Sequence, residues 1–407
     1  MLRAESMKLA IISDLHIGCD RFAEDALSQA REAFDKASAQ ADAILLPGDI
    51  FDKRFPKPEV IADAIDLFRS LAEKQWPAKV ESFSSKGSKL YTKLPVIAIS
   101  GTHERTAEGT DNPLSLLGLA GFLIDTSEAT TVIEKGGERV AIFGLGGLSE
   151  DHVRERLKDL DPKPVSGAFN IFMFHQSIYE LLPFSDGFIR YGELPAGFDL
   201  YLCGHIHNRI EAEVHGKKLL IPGSTVLTQL KDAEQERKGY MLFDTSTCTY
   251  SFEHINSRRF VVKALEFKDA TPSAVQEVCE SAIGLLLGNE NDRPIIRLDL
   301  KGTICEGFSG ADLNLRALSA RYSGSATISI DSSKLTSPEI AGSAEAIRDG
   351  KLGGMSVKEM GMSVLMQKLR ERKFAGKDAQ KLFEMLSDQS NKDKVLKSVM
   401  EFLGEQQ

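Results

Sequence analysis

Leu202-Cys203-Gly204-His205-Ile206-His207 ends an apolar run, Phe198 to Cys203 broken only by Asp199, at a glycine followed by two histidines two residues apart. Read as a buried strand that stops in a loop, it carries both imidazoles to the strand's mouth, where a ligand can sit. Residues i and i+2 of a strand share a face whatever their task, so the pair alone decides little. Four other stretches repeat the arrangement: Asp14-Leu15-His16, Gly48-Asp49-Ile50-Phe51-Asp52, Gly101-Thr102-His103-Glu104 and Phe174-His175-Gln176. Each follows a short apolar run, namely Leu9 to Ile12, Ala43 to Leu46, Val96 to Ile99 and Phe169 to Phe174. Five of the eight histidines fall at four of these five junctions, and the remaining junction supplies carboxylates. Packing alone does not concentrate polar groups in this way.

Around the junctions the chain alternates strands and helices. From Met7 to Phe174 the spacing predicts strands at the four apolar runs and at Val140 to Phe143. Amphipathic helices are predicted at Arg21 to Gln40, Glu59 to Glu73 and Glu150 to Leu160. The serine- and lysine-rich stretch Ala78 to Lys93 is expected to be an exposed loop over the edge of the site. Past His207 the period changes to that of successive antiparallel strands, Glu211 to Leu220 with Gly216 in a turn, Gly239 to Phe243 and Tyr250 to His254. The fold class is therefore α/β (α+β), two sheets packed face to face with helices outside. Residues 1–6 form an extension before Met7, and residues 7–256 the main domain. A smaller α+β domain is expected over 257–331, a linker over 332–355 and short amphipathic helices over 356–407. About fifty residues of such helices seldom hold a core alone, so they dock on something.

Bulk properties narrow the class. A chain of 407 residues, 42% apolar and 27% charged, is an ordinary globular protein with room for two or three domains. It has no run apolar enough to span a bilayer and no secretory signal. Five scattered cysteines without a C-x-x-C pair suit a reducing cytoplasm. The net charge of −9 argues against coating nucleic acid with the whole surface, while leaving room for a local basic channel.

Asp14, His16, Asp49, His175, His205 and His207 make a mixed carboxylate and imidazole set suited to Mn²⁺, Fe or Zn²⁺, with donors enough for two ions. Two dications about 3.7 Å apart repel by about 18 kcal/mol at an effective dielectric of about 20, so an anion must lie between them, and Asp49 is the candidate. Such a pair makes a nucleophile of water at neutral pH and clamps an in-line phosphoryl displacement. His103 is expected to act apart, as general acid or as a stabiliser of charge on the leaving oxygen, with Glu104 or Asp14 orienting it. Asp52 reads as a structural residue bonded to its loop backbone, and Cys203 as strand packing. His152, His215 and His254 read as surface or hydrogen-bonded histidines.

The ordered signatures D-x-H, G-D-x-x-D, G-[N]-H-[DE], a lone strand-end histidine and G-H-x-H resemble those of the calcineurin-like metallophosphoesterases from Met7 to His254. GDIFDKRFPKP (Gly48 to Pro58) and NPLSLL (Asn112 to Leu117) resemble the Mre-eleven/SbcD nucleases, and PIIRLDLKG (Pro294 to Gly302) is similar to their capping-domain strand. The resemblance implies a metallophosphoesterase fold with a DNA-binding capping domain. It implies an archaeal-type nuclease subunit of a double-strand-break repair complex that cleaves phosphodiesters at DNA ends with two Mn²⁺ ions. It implies a homodimer formed through helices of the nuclease domain. It also implies a Rad-fifty/SbcC-type ATPase partner bound through 356–407, and a cytoplasmic, nucleoid-associated location. Two positions depart from the family pattern. Thr102 stands where an asparagine usually ligates the second metal, and Asp52 where some relatives have a histidine. Lys53, Arg54, Lys57 and Arg105, with Lys86, Lys89 and Lys93, are candidates to line the DNA path. The competing readings are a phosphodiesterase for small esters on the same fold, and a non-catalytic repair scaffold with a weakened metal site.

Overall fold

The computed structural model of the protein describes residues 6–72, 79–84, 87–91, 96–105, 110–184, 187–288, 293–308 and 310–336, with residues 362 and 381. The linker and tail expected over 332–407 therefore lie almost wholly outside the described residues. In chain order the elements begin with β1 (Lys8–Ile11), α1 (Ala23–Gln40), β2 (Ala43–Leu46) and α2 (Pro58–Ala72). There follow β3 (Lys79–Ser84), β4 (Gly87–Tyr91), β5 (Val96–Ala98), α3 (Pro113–Leu119), β6 (Ile124–Asp125) and β7 (Thr130–Lys135). Next come β8 (Glu138–Leu145), α4 (Glu150–Leu160), β9 (Phe169–His175), β10 (Leu200–Gly204), β11 (Ile210–Val214) and β12 (Lys217–Ile221). The described chain closes with β13 (Gly239–Asp244), β14 (Thr249–His254), β15 (Phe260–Ala270), α5 (Pro272–Leu286), β16 (Ile295–Ile304), α6 (Leu315–Arg321) and β17 (Thr327–Thr336).

Two mixed sheets flanked by helices dominate, as the sequence predicts. The six-stranded sheet runs β14-β13-β1-β2-β5-β6 and the eight-stranded one β11-β12-β10-β9-β8-β7-β3-β4. Strands β1, β2 and β5 are parallel neighbours, as are β8, β9 and β10. Strict alternation explains why their sequences are apolar on both sides. Leu9 and Ile11, Ala43 and Leu45, Ile171 and Met173, and Leu200 and Leu202 share one core between the sheets. Their alternates Ala10, Ile12, Ile44 and Leu46 pack with Ala33, Phe34, Leu67 and Phe68 of α1 and α2. Phe172, Phe174, Tyr201 and Cys203 face a third cluster with Val153 and Leu157 of α4. A parallel strand covered on both faces needs this near-continuous apolar run.

The described residues of the stretch Ala78 to Lys93 form strands rather than a loop. They contribute the hairpin of β3 and β4 to the end of the eight-stranded sheet, β3 pairing antiparallel with β7. Backbone pairing to β7 and burial of Val80 in the core between the sheets hold β3, and charged residues suit an edge strand. Strand β7 and helix α3 are also additions to the sequence reading. Helix α3 begins at a capping box on Asn112 with Pro113 in its first turn.

The described residues divide into two compact units. The first lies within Met1–Lys263, Leu285–Arg297 and Tyr322–Ser329, and the second within Ala264–Gly284, Leu298–Arg321 and Ile330–Gln407. Strands β15, β16 and β17 form a third sheet in that order. In the second unit, α5 buries Val275, Cys279 and Ile283 at four-residue spacing.

Candidate metal centre

The carboxyl ends of β1, β2, β5, β9 and β10 deliver the expected side chains. The backbone there is unusual: Asp14, His16, Asp49 and His205 have φ of 52°, 46°, 50° and 78°. Left-handed conformations cost a non-glycine residue about 1–3 kcal/mol, and they persist where the surroundings fix them for a purpose. Gly48, at φ 100°, takes the same region without a side chain, and a Cβ there would strike the His175 ring. At Gly101 a Cβ would run into the Asp49 carboxylate. The glycines of these motifs let three loops close on one another.

Among the described residues, three clusters of His and carboxylate atoms lie within 4.8 Å of one another: Asp14 with His16 and His207, Asp49 with His175 and His205, and His16 with Asp52 and His103. All six expected metal ligands thus fall into two triads. In the first, His16 Nε2 and His207 Nε2 are 3.1 Å apart, and His207 Nε2 is 3.8 Å from Asp14 Oδ1. In the second, His175 Nε2 is 3.1 Å from Asp49 Oδ2. Thr102 Oγ1 lies 3.4 Å from both Asp49 Oδ2 and His205 Nδ1, so the hydroxyl does reach this group.

Each histidine is held from behind. His175 Nδ1–H donates to the Pro47 carbonyl at 2.7 Å. His207 Nδ1 meets Thr228 Oγ1 at 2.5 Å, and Ser177 Oγ meets His205 Nε2 at 2.8 Å. His16 Nδ1 faces Asp52 Oδ1 at 3.2 Å, close enough for charge attraction though not aligned as a hydrogen bond. The carboxylates are also tethered. His103 N–H donates to Asp49 Oδ1 at 2.8 Å, and His205 N–H to Asp14 Oδ1 at 3.1 Å. A second set of partners that fixes ring orientation and tautomer is what metal-binding histidines require.

The fit to metal ions rests on three observations. His175 Nε2 is a buried ring nitrogen without a hydrogen-bond partner, although a carboxylate lies beside it. Two ligands at about 2.1 Å from one ion, at about 90–110° to each other, lie about 3.0–3.4 Å apart, and the His16 and His207 nitrogens meet that spacing. The electrostatics of the site also call for positive charge. Burial by itself would raise the Asp49 carboxyl, yet His175, with His16 and His103, holds it far below the usual range. Burial would lower His175, but the Asp49 carboxylate and then Asp14 push it up to about 9, making the imidazolium a stand-in for a cation. His205 is pushed down to about 4 by burial and by His175, which keeps it a neutral donor.

The orienting group of His103 is neither Glu104 nor Asp14. His103 Nδ1–H donates to the Asp52 backbone carbonyl at 2.6 Å, and the exposed ring lies edge-on to His16 at 4.9 Å. Asp52, expected to bond its own loop backbone, instead turns its carboxylate to His16, and that contact, against burial, lowers its pKa. Glu104 is fully buried and accepts from Phe51 N–H and Gly101 N–H at 2.8 Å each, tying two site loops together. Sequence reasoning missed Ser177, Thr228 and Lys238, which lie in loops, and Glu234, which lies in a short 3-10 turn (Asp232–Gln235), none with a periodic signal. Glu234 and Lys238 sit in the polar run Lys231 to Lys238, where nothing marks two of its charges as buried. Cys203 is packed in its strand, where burial pushes its thiol up. His152 pairs with Ser149 at 2.6 Å and His215 with the Leu194 carbonyl at 2.9 Å, so both serve local structure.

Of the candidate DNA contacts, Lys53, Arg54 and Lys57 are exposed and Arg105 is half-buried. Lys53 pairs with Asp20, and Arg54 donates to the Arg105 carbonyl. Beside His205 a cleft of about 410 Å³ opens, lined by Thr102, Arg105, Leu148, Ser177 and Phe188 among others.

Residues 7–209 match the calcineurin-like phosphoesterase family. The DNA double-strand break repair protein Mre11 of Sulfolobus acidocaldarius is 24% identical over 314 residues, 73% of this chain and 76% of that protein. The human double-strand break repair protein MRE11 is 24% identical over 277 residues, 57% of this chain but 38% of that protein. A solved archaeal phosphodiesterase superposes with a TM-score of 0.31 at 15% identity, over 61% of this chain and 100% of that one, a likeness too slight to carry weight. With four of the five ordered motifs assembled into two triads, and the third motif's His103 beside them, the chain carries a calcineurin-like phosphoesterase domain over residues 7–209 and is similar in sequence to the Mre11 proteins.

Proposed function

We propose that the protein is a Mn²⁺-dependent DNA exo/endonuclease, the nuclease subunit of a double-strand-break repair complex acting at duplex ends. The observation that carries this reading is the pair of His and carboxylate triads, Asp14 with His16 and His207, and Asp49 with His175 and His205. These residues would hold two divalent ions, with the Thr102 hydroxyl as a weak oxygen donor in the second group. Bound there, such ions supply Lewis acidity and lower the pKa of water toward neutrality. The protein's own residues do the rest. His103, anchored through Nδ1 to the Asp52 carbonyl and beside the His16 ring, has its other ring nitrogen left to give a proton to the leaving oxygen. Glu104 holds the His103 loop against the Asp49 loop, which keeps the acid and the ligands in fixed relation.

Lys53, Arg54, Lys57 and Arg105 follow the second and third motifs directly, and we assign them to DNA phosphates. Double-stranded ends as substrate, a homodimer and a Rad-fifty/SbcC-type ATPase bound through 356–407 belong to this reading, as does a cytoplasmic, nucleoid-associated location. Its support is the kinship with break-repair proteins. No helix among the described residues is long and apolar enough to cross a membrane.

The test is degradation of linear duplex DNA by the purified protein with Mn²⁺, beside His103→Asn and a small aryl phosphodiester. Manganese-dependent DNA cleavage that falls about 10²–10⁴-fold in the variant is the expected outcome. Hydrolysis of the small ester alone would replace this reading with a small-substrate phosphodiesterase. Cleavage of neither would leave a non-catalytic scaffold.

A further inference from the structure

Behind His207, on the side away from Asp14 and His16, lies a closed polar chain that none of the sequence motifs contains. Thr228 Oγ1 is 2.5 Å from His207 Nδ1 and 3.2 Å from Glu234 Oε1. Glu234 and Lys238 are only 6% and 7% exposed and form an ion pair at 3.3 Å. Glu234 Oε1 accepts from Gln229 N–H at 2.9 Å, and Oε2 accepts from Thr228 N–H at 3.1 Å. Lys238 Nζ also donates to Ser224 Oγ at 2.9 Å and to the His207 carbonyl at 3.4 Å.

Counting protons along this chain gives one consistent arrangement. The nitrogens that hydrogen-bond Glu234, those of Thr228, Gln229 and Lys238, can only donate, His207 Nδ1 stands off at 4.0 Å from Oε1, and the buried Lys238 ammonium demands an anion beside it. Thr228 has a single hydroxyl proton, which must go to Glu234 Oε1. Its oxygen is then left to accept, so His207 Nδ1 must carry the hydrogen. A neutral imidazole with hydrogen on Nδ1 has a bare lone pair on Nε2, the atom turned toward His16 and Asp14.

We infer that Thr228 and Glu234 are positioning residues, a hydroxyl–carboxylate relay that fixes His207 in the one tautomer able to bind a divalent cation through Nε2. The inference rests on the metal-centre reading above for its purpose, while the tautomer itself is measurable without metal. Neither residue touches the substrate or the ion. The arrangement parallels a carboxylate–histidine–metal triad with a hydroxyl inserted between the first two members. Thr228→Val keeps the shape and removes the acceptor, and Thr228→Ser restores it.

The first measurement is long-range ¹H–¹⁵N correlation of the imidazoles in metal-free full-length protein. Wild type and Thr228→Ser should show His207 protonated on Nδ1, and Thr228→Val should shift the proton to Nε2 or to a mixture. The second is Mn²⁺ titration of His205→Ala protein, in which the first triad remains intact, with and without Thr228→Val. The expected loss of affinity is about 10–100-fold. An unchanged His207 tautomer in Thr228→Val would overturn the inference, even if the melting temperature fell, because the residue would then be merely structural. If the tautomer shifts while wild type takes up no metal, the relay stands and the metal-centre reading fails.

Discussion

Glu104→Gln should have opposite consequences at two pH values. The wild-type carboxyl is fully buried and accepts two backbone N–H groups at 2.8 Å, from Phe51 and Gly101. A glutamine of the same shape can accept only one of them, and opposing a buried N–H with another donor costs about 1–3 kcal/mol. Against this stands the charge. Burial, reinforced by Asp49, pushes the Glu104 carboxyl up to about 7 from an ordinary 4.5. A group raised on folding contributes stability that is full below its unfolded pKa and is lost as pH rises through the folded one. The gap corresponds to about 3 kcal/mol, lost between roughly pH 4.5 and pH 7 in the metal-free protein. Glutamine never ionises and escapes that loss. At pH 5 the variant should melt about 2–10 °C below wild type. At pH 8 the deficit should vanish or reverse. Thermal denaturation in the presence of chelator measures both. An equal deficit at the two pH values, or a larger one at pH 8, would refute the burial argument.

Gly101→Ala should expel the Asp49 carboxylate from its place, since the new Cβ would collide with it, and one bound metal per chain rather than two is expected by elemental analysis. Thr102→Asn supplies a carbonyl where a hydroxyl sits 3.4 Å from Asp49 and His205, and should tighten Mn²⁺ at the second triad about tenfold by calorimetry, about 1.4 kcal/mol. Burial alone would raise Glu234, but the His207 ring 4.0 Å away and the Lys238 charge hold it near 2 against an ordinary 4.5. A depressed acid stabilises above its unfolded pKa and loses that contribution as pH falls toward the folded one. Glu234→Gln should therefore flatten the decline in melting temperature of the metal-free protein between about pH 4.5 and pH 2, worth about 3 kcal/mol in wild type.

Much of the fold and of the metal centre is legible in the residues because both rest on short-range signals. A parallel strand covered on two faces must be apolar throughout, so Leu9 to Ile12 and Phe169 to Phe174 announce themselves, and a polar side chain at their ends stands out. The hairpin β3–β4 is hidden for the opposite reason. Its place comes from backbone pairing with β7, which leaves little mark on the identity of Ser82 or Lys89. The groups that hold the ligands are hidden too. Thr228 is 21 residues from His207 and becomes its partner only once the loop after β12 folds back. Asp52 has two carboxylate oxygens and one carbonyl, and nothing in GDIFD tells which faces His16 and which His103. The left-handed backbone at Asp14, His16, Asp49 and His205 is likewise set by closure of the loops on one another.

The most direct test of the metal centre is the number of Mn²⁺ ions bound by the full-length chain, counted by titration calorimetry and elemental analysis in wild type, His207→Ala and His175→Ala. Two ions in wild type and one in each variant are expected, because each substitution empties one triad and leaves the other. One ion or none in wild type, or two ions surviving either substitution, would contradict the assignment of these six residues to two metal sites.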